Sequence, residues 1–189
     1  MVNTYPIPFI PEKNQGSRQM NLQDAQKMVA DFHQHIRTTI ADEPQLLPCR
    51  SHAARWLAMQ IEGLARTAAQ GVDGTMDLLL SRAAMSLEEL AEWLTAHADN
   101  DLVAAADAIT DRCYVLIGDA VATGMPLAEL FAEVHRSNLT KLPGITNGNG
   151  KAVAWIGTNR SREKSTRNTY RKPEIASVLS RSHCRSLKS

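Results

Sequence analysis

At 189 residues, 43% hydrophobic and with a formal net charge of +1, the chain has the size of one domain and enough apolar content for a real core. It holds no apolar run long enough for a spanning helix, and Met1 to Pro11 has no basic start followed by an apolar core, so it does not read as a signal peptide. The cysteines (Cys49, Cys113 and Cys184) are scattered and odd in number, which fits neither a disulfide framework nor a zinc spacing; a reducing cytoplasm is the expected location. Charge is unevenly divided: residues 1–146 carry a net −7 and residues 147–189 a net +8.

Residues 1–19 carry Pro6, Pro8, Pro11 and Gly16 and read as an irregular lead-in. Asn21 is the expected N-cap of a first helix, with Leu22, Ala25, Phe32 and Ile36 on its apolar face. A second helix is expected over about 51–70, ended by Gly71 and Gly74. A third begins near residues 75–76 and continues through Ser86 to Ala96, because Arg82 to Met85 contains no breaker. Asp99-Asn100 marks a turn. A fourth helix runs from 101 to 123, with Gly124 past its end and Pro126 opening a fifth that reaches about Asn138. Beyond Pro143 the chain is polar, basic and weakly periodic, and a short last helix from Pro173 to about Arg181 fits the pattern. The expected fold is all-α: a bundle of about five helices with a basic, partly irregular C-terminal tail. Its expected divisions are a lead-in over 1–20, a domain over 21–142 and a tail over 143–189, partly disordered or an assembly arm.

Two acidic patterns stand out. Glu88, Glu89 and Glu92 fall on adjacent turns of the third helix, with almost no Lys or Arg between Ala83 and Asp111 to pair with them. Glu-rich spacings are common on solvated helix faces, so the second pattern weighs more. Asp107 and Asp111 lie one turn apart inside an otherwise apolar run from Leu102 to Ile117, where burial without a partner is costly. Five unpaired carboxylates on facing helices require a cation between them, and hard oxygen ligands select Mg²⁺, with Mn²⁺ as an alternative. A third pattern, His135-Arg136-Ser137-Asn138-Leu139-Thr140-Lys141, supplies the donors Arg136, Asn138 and Lys141 at a helix end; its plainer reading is a basic last turn that complements the helix dipole.

These residues carry a resemblance. Asp31-Phe32-His33, Arg82 with Glu88-Glu89-x-x-Glu92, Tyr114-Val115-Leu116-x-Gly118 and Leu130 to Lys141 resemble the all-α NTP pyrophosphohydrolases of the MazG and phosphoribosyl-ATP pyrophosphohydrolase-like superfamily. The resemblance covers roughly residues 21–141 and lies closer to the His-Arg-Ser-Asn type than to a histidine-pathway enzyme. It implies Mg²⁺ held by Glu88, Glu89, Glu92 and Asp111, with Asp107 a ligand or outer partner. It also implies Glu88 or Glu89 activating water, and cleavage of a nucleoside triphosphate to monophosphate and pyrophosphate. Arg136, Asn138 and Lys141 then hold phosphate or sugar oxygens, and Tyr114 and Trp93 are either base-stacking or core residues. The superfamily's Glu-x-x-Asp has Ala108 where the Glu belongs, with Asp107 one residue earlier. The second helix reads as an insertion, and Glu62 on it as a weaker acidic position.

The expected function is therefore an Mg²⁺-dependent NTP or dNTP pyrophosphohydrolase that cleans nucleotide pools, as a homodimer or homotetramer. The alternative is a non-catalytic helical module binding nucleic acid or a partner through the basic tail, which the steep salt dependence of phosphate contacts would expose.

Overall fold

A computed structural model describes residues 20–71, 75, 77–143 and 170–186, the last four of these by backbone alone. The lead-in and residues 144–169 of the tail lie outside the described residues. Among the described residues there are six helices: α1 (Leu22–Ile36), α2 (Ser51–Gln70), α3 (Leu78–Asp99), α4 (Leu102–Thr123), α5 (Leu127–Asn138) and α6 (Ile175–Ser186). No strand occurs among the described residues, and the all-α expectation holds.

Short polar side chains set the helix starts. Asn21 and Asp24 form a reciprocal capping box on α1, with the Asp24 N–H donating to Asn21 at 2.9 Å. Asp77 accepts from the Leu80 N–H at 2.7 Å, and Asp101 from the Ala104 N–H at 2.9 Å. Asn100 closes α3 in the left-handed region at φ +58°, which Asn tolerates better than most residues. The Asn100-Asp101 pair thus folds α4 back antiparallel to α3. α3 runs unbroken through Ser86, as its composition predicts.

The main packing joins α2 to α3 and α3 to α4. Ala54, Ala58, Ile61 and Ala65 of α2 are buried at alternating spacings of four and three residues, and Ala84, Ala91 and Ala98 of α3 repeat every seven. Ala58, Ile61 and Ala91 form the core, flanked by Leu87, Leu90 and Leu94. Small seam residues let helix axes approach closely. α2 supplies one wall of the core against the helix that carries the glutamates.

α4 corrects another expectation. Leu102, Val103, Ile109, Tyr114, Leu116 and Val121 are exposed, and only Ala105 and Ala108 are fully buried. Asp107 and Asp111 are exposed as well, so the argument that they are charges within a buried run does not hold. The hydrophobic run suggested buried aspartates, whereas α4 turns much of that run outward.

After Gly124 (φ +65°) the chain bends by 113° into α5, which packs on α1 and α6. Among the described residues no single helix is long and apolar enough to cross a membrane.

Candidate active site

The antiparallel α3–α4 pair aligns its residues in a line. Arg82 reaches Asp119 and the Val115 carbonyl, and Arg112 lies 5.0 Å over the Trp93 ring. Glu89 falls between these contacts on α3, and Asp111 adjoins Arg112 on α4. Glu89 is half-buried, and its Oε2 is buried with no hydrogen-bond partner. Burial pushes its carboxyl above the ordinary range; the charges of Glu92, Asp111, Glu88 and Asp107 then add to the shift, in that order. The charges of the other four sequence-selected carboxylates therefore all reach Glu89. None of the five forms an ion pair among the described residues.

An open cavity of about 300 Å³ adjoins this cluster. Glu92 and Asp107 line it with Asp99, Asp101, Thr95 and Glu62. Glu62 looked weak in sequence because its own helix offers no second acid, but its acidic neighbours come from α3 and α4. Arg66 lies 3.8 Å from it.

The donor chemistry fits a hard divalent cation, since every candidate ligand is a carboxylate oxygen and one of these oxygens is buried without a partner. Among the described residues, however, no three His, Cys, Asp or Glu side chains converge tightly enough to hold a metal ion.

The α5 donors stand elsewhere. Arg136 grips Glu133 with two hydrogen bonds, at 2.8 and 2.6 Å. Lys141 lies 5.8 Å over the Phe32 ring of α1, and its carbonyl accepts from His35 Nε2 at 2.8 Å. Asn138 ends α5, half-buried. Tyr114 is 78% exposed and available for contact, whereas Trp93 is taken up between His97 and Arg112.

Sequence reasoning missed what the rest of this motif does. Ser137, 2% exposed, donates to the Arg171 carbonyl at 2.7 Å, and the Arg171 N–H donates to Thr140 at 2.8 Å. Glu133 accepts the Glu174 N–H at 2.6 Å, just ahead of α6. The motif thus fastens the C-terminal segment to α5. The only sequence signal was Glu133 three residues before Arg136, an ordinary helix pair.

The side-chain hydrogen bonds from Arg136, followed by the Glu174 N–H, hold the Glu133 carboxyl down at about 2, against an ordinary 4.5. A lowered carboxyl pKa gives stability above the unfolded value that is lost as pH falls through the folded one. The fastening of α6 is therefore expected to weaken between about pH 4.5 and pH 2. Amide exchange at Glu174 and along α6 should accelerate in that window before exchange along α2 and α3 does; simultaneous loss would contradict it.

Gly118 has a specific role. A Cβ there would stand 2.5 Å from Arg82 Nη2. Gly118→Ala should gain about 1 kcal/mol of helix propensity but lose charge-assisted hydrogen bonds of about 1.5–3 kcal/mol. With the guanidinium only part-buried, the expected net is a loss of about 1 kcal/mol, read by urea unfolding; a stabilised variant would contradict the assignment.

These helices are where a comparison with known proteins finds its match. Residues 64–138 match the family model described as phosphoribosyl-ATP pyrophosphohydrolase, from the end of α2 to the end of α5. That family is a member of the all-α MazG-like NTP pyrophosphohydrolase superfamily, so the resemblance holds for this stretch, which is less than half of the chain. The match supports a nucleotide pyrophosphohydrolase-type activity, hydrolysis at a phosphoanhydride bond. It gives no support to setting the phosphoribosyl-ATP type behind the His-Arg-Ser-Asn type. No curated protein and no solved structure matches the chain.

Proposed function

We propose that the protein is a divalent-metal-dependent nucleoside triphosphate pyrophosphohydrolase, acting on an NTP or dNTP to release the monophosphate and pyrophosphate in nucleotide-pool cleaning. The observation that carries this reading is Glu89, with a buried oxygen that lacks a partner amid four further carboxylates. Glu88, Glu89, Glu92 and Asp111, with Asp107 alongside, would hold Mg²⁺ or Mn²⁺, which would neutralise charge on the phosphate oxygens. Of the Glu88–Glu89 pair, Glu89 is assigned the water proton, because it is the half-buried one and carries the oxygen without a partner. The proton of the attacking water goes to that carboxylate, the water oxygen bonds to phosphorus, and pyrophosphate leaves with the electrons of the broken P–O bond. Phosphoryl chemistry asks for little beyond such alignment and charge compensation.

Arg136 and Lys141 are assigned to phosphate and Asn138 to a sugar or phosphate oxygen. Since α5 packs on α1 and α6, a second copy is a direct way to bring these donors to the α3–α4 face. Exposed Trp56, Met59 and Leu64 on α2, with Val103, Tyr114 and Val121 on α4, favour assembly into a dimer or tetramer. Light scattering at the monomer mass, at micromolar concentration, would contradict that part.

The test of the reaction is phosphorus NMR of the products. Monophosphate with pyrophosphate is expected; diphosphate with orthophosphate would mean a different bond is cut. Manganese binding followed by electron paramagnetic resonance, lost in Glu89→Gln, tests the carboxylates independently of turnover.

A further inference from the structure

We propose that the groove at the Leu78 end of the α3–α4 pair is the nucleobase subsite of the enzyme. This rests on the pyrophosphohydrolase reading above and adds where selectivity resides.

The groove encloses about 430 Å³, within the range of about 300–1,000 Å³ usual for small-molecule sites. Leu78, Leu79, Ala83 and Ala122 form apolar walls, and Arg82 and Asp119 supply a polar edge. Apolar faces with a small number of fixed polar groups suit a flat heterocycle that presents donors and acceptors along its rim. The acidic cavity at the other end of the same helix pair does not, because Glu62, Glu92, Asp99, Asp101 and Asp107 would attract cations.

The polar edge is held in place. Arg82 Nε donates to Asp119 Oδ1 at 2.5 Å and Nη2 to the Val115 carbonyl at 2.7 Å. Those bonds use two of the five N–H groups of a guanidinium. Gly118 leaves room for the guanidinium to lie across α4, since a Cβ would collide with it. Asp119 Oδ2 makes no hydrogen bond among the described residues, so the edge offers an acceptor beside N–H donors.

Register connects the groove to the carboxylates. Ser86, on its lining, precedes Glu89 by three residues, or ~4.5 Å of helix rise; Asp119 follows Asp111 by eight, or ~12 Å. A ribose and the first phosphate span that interval, which sets the base in the groove when the phosphates lie at Glu89 and Asp111.

The experiment compares Ala122→Phe, which fills the groove, with wild type on a panel of nucleoside triphosphates and on inorganic tripolyphosphate. The ratio of nucleotide to tripolyphosphate kcat/KM is expected to fall about tenfold, with a flattened ranking of bases. Leu79→Ala, at a side chain 76% exposed and so safe for folding, is expected to raise nucleotide KM about threefold. Unchanged ratios and rankings in both folded variants would overturn the subsite. So would a change of oligomeric state with selectivity intact, which would make the groove a contact between copies. Wild type that cleaves tripolyphosphate without preferring any nucleotide also sinks the subsite, while leaving the carboxylate chemistry standing. Wild type that cleaves neither overturns the parent reading, and the subsite with it.

Discussion

Glu89→Gln is expected to lower turnover by about a hundredfold to ten-thousandfold, the usual weight of a positioned acid–base group, and at the same time to raise thermal stability. The two effects have opposite signs for a physical reason. Gln keeps the shape of the side chain but can neither accept the water proton nor bind a cation with full charge. The folded state meanwhile disfavours the ionised Glu89 through burial and the charges of Glu92, Asp111, Glu88 and Asp107. A carboxyl whose folded pKa is raised contributes stability below its unfolded value and loses it as pH rises through the folded value. At neutral pH the charge is therefore a net burden. Its removal should raise Tm, by an amount that the partial exposure of Glu89 keeps small. Wild type should also gain stability on mild acidification from neutral pH, before the Glu133 contacts begin to fail, and the Gln variant should lack that gain. A structural carboxylate would behave in the opposite way, with the Gln variant less stable and turnover little changed. Scanning calorimetry beside a turnover assay separates the two.

Ile61→Ala is expected to destabilise the fold by about 3 kcal/mol, within the range of about 2–5 kcal/mol for such truncations. Ile61 is 8% exposed and is the one large side chain at the centre of an alanine seam, against Ala58 and Ala91. Alanines on either side cannot grow into the space, so Leu87, Leu90 and Leu94 would have to close it. For a chain of 150–250 residues a loss of that size lowers Tm by about 6–12 °C. The effect matters for function because α3 is held by α2 on this face and carries Glu88, Glu89 and Glu92. A loss below about 1 kcal/mol in urea unfolding would mean that α2 is peripheral after all.

Much of this architecture was legible in the sequence, because helix ends are written in local chemistry. Asn21, Asp101 and Gly124 mark helix limits close to those expected, whereas α3 begins at Leu78 behind an Asp77 cap, two to three residues past its expected start. That the charges of Glu88, Glu92, Asp107 and Asp111 reach Glu89 follows for a related reason: the five sit on consecutive helices joined by a two-residue turn. What local spacing cannot encode is which side of an apolar helix meets the core. α4 was misjudged on that account, since only Ala105 and Ala108 of it are fully buried. The fastening role of Ser137 and Thr140 was not legible, because their partner lies at Arg171, across more than thirty residues. Nothing in a helix end that ends in Ser-Asn-Leu-Thr reveals that its hydroxyls bind a distant stretch of backbone.

The central claim is that the carboxylates around Glu89 hydrolyse a nucleotide phosphoanhydride with a divalent cation. The most direct test is pyrophosphate release from a panel of NTPs and dNTPs, with Mg²⁺, with Mn²⁺ and with a chelator, wild type beside Glu89→Gln. The account predicts release by wild type that chelation abolishes and that the folded variant lacks. Release that survives chelation, or that Glu89→Gln retains in full, would contradict it.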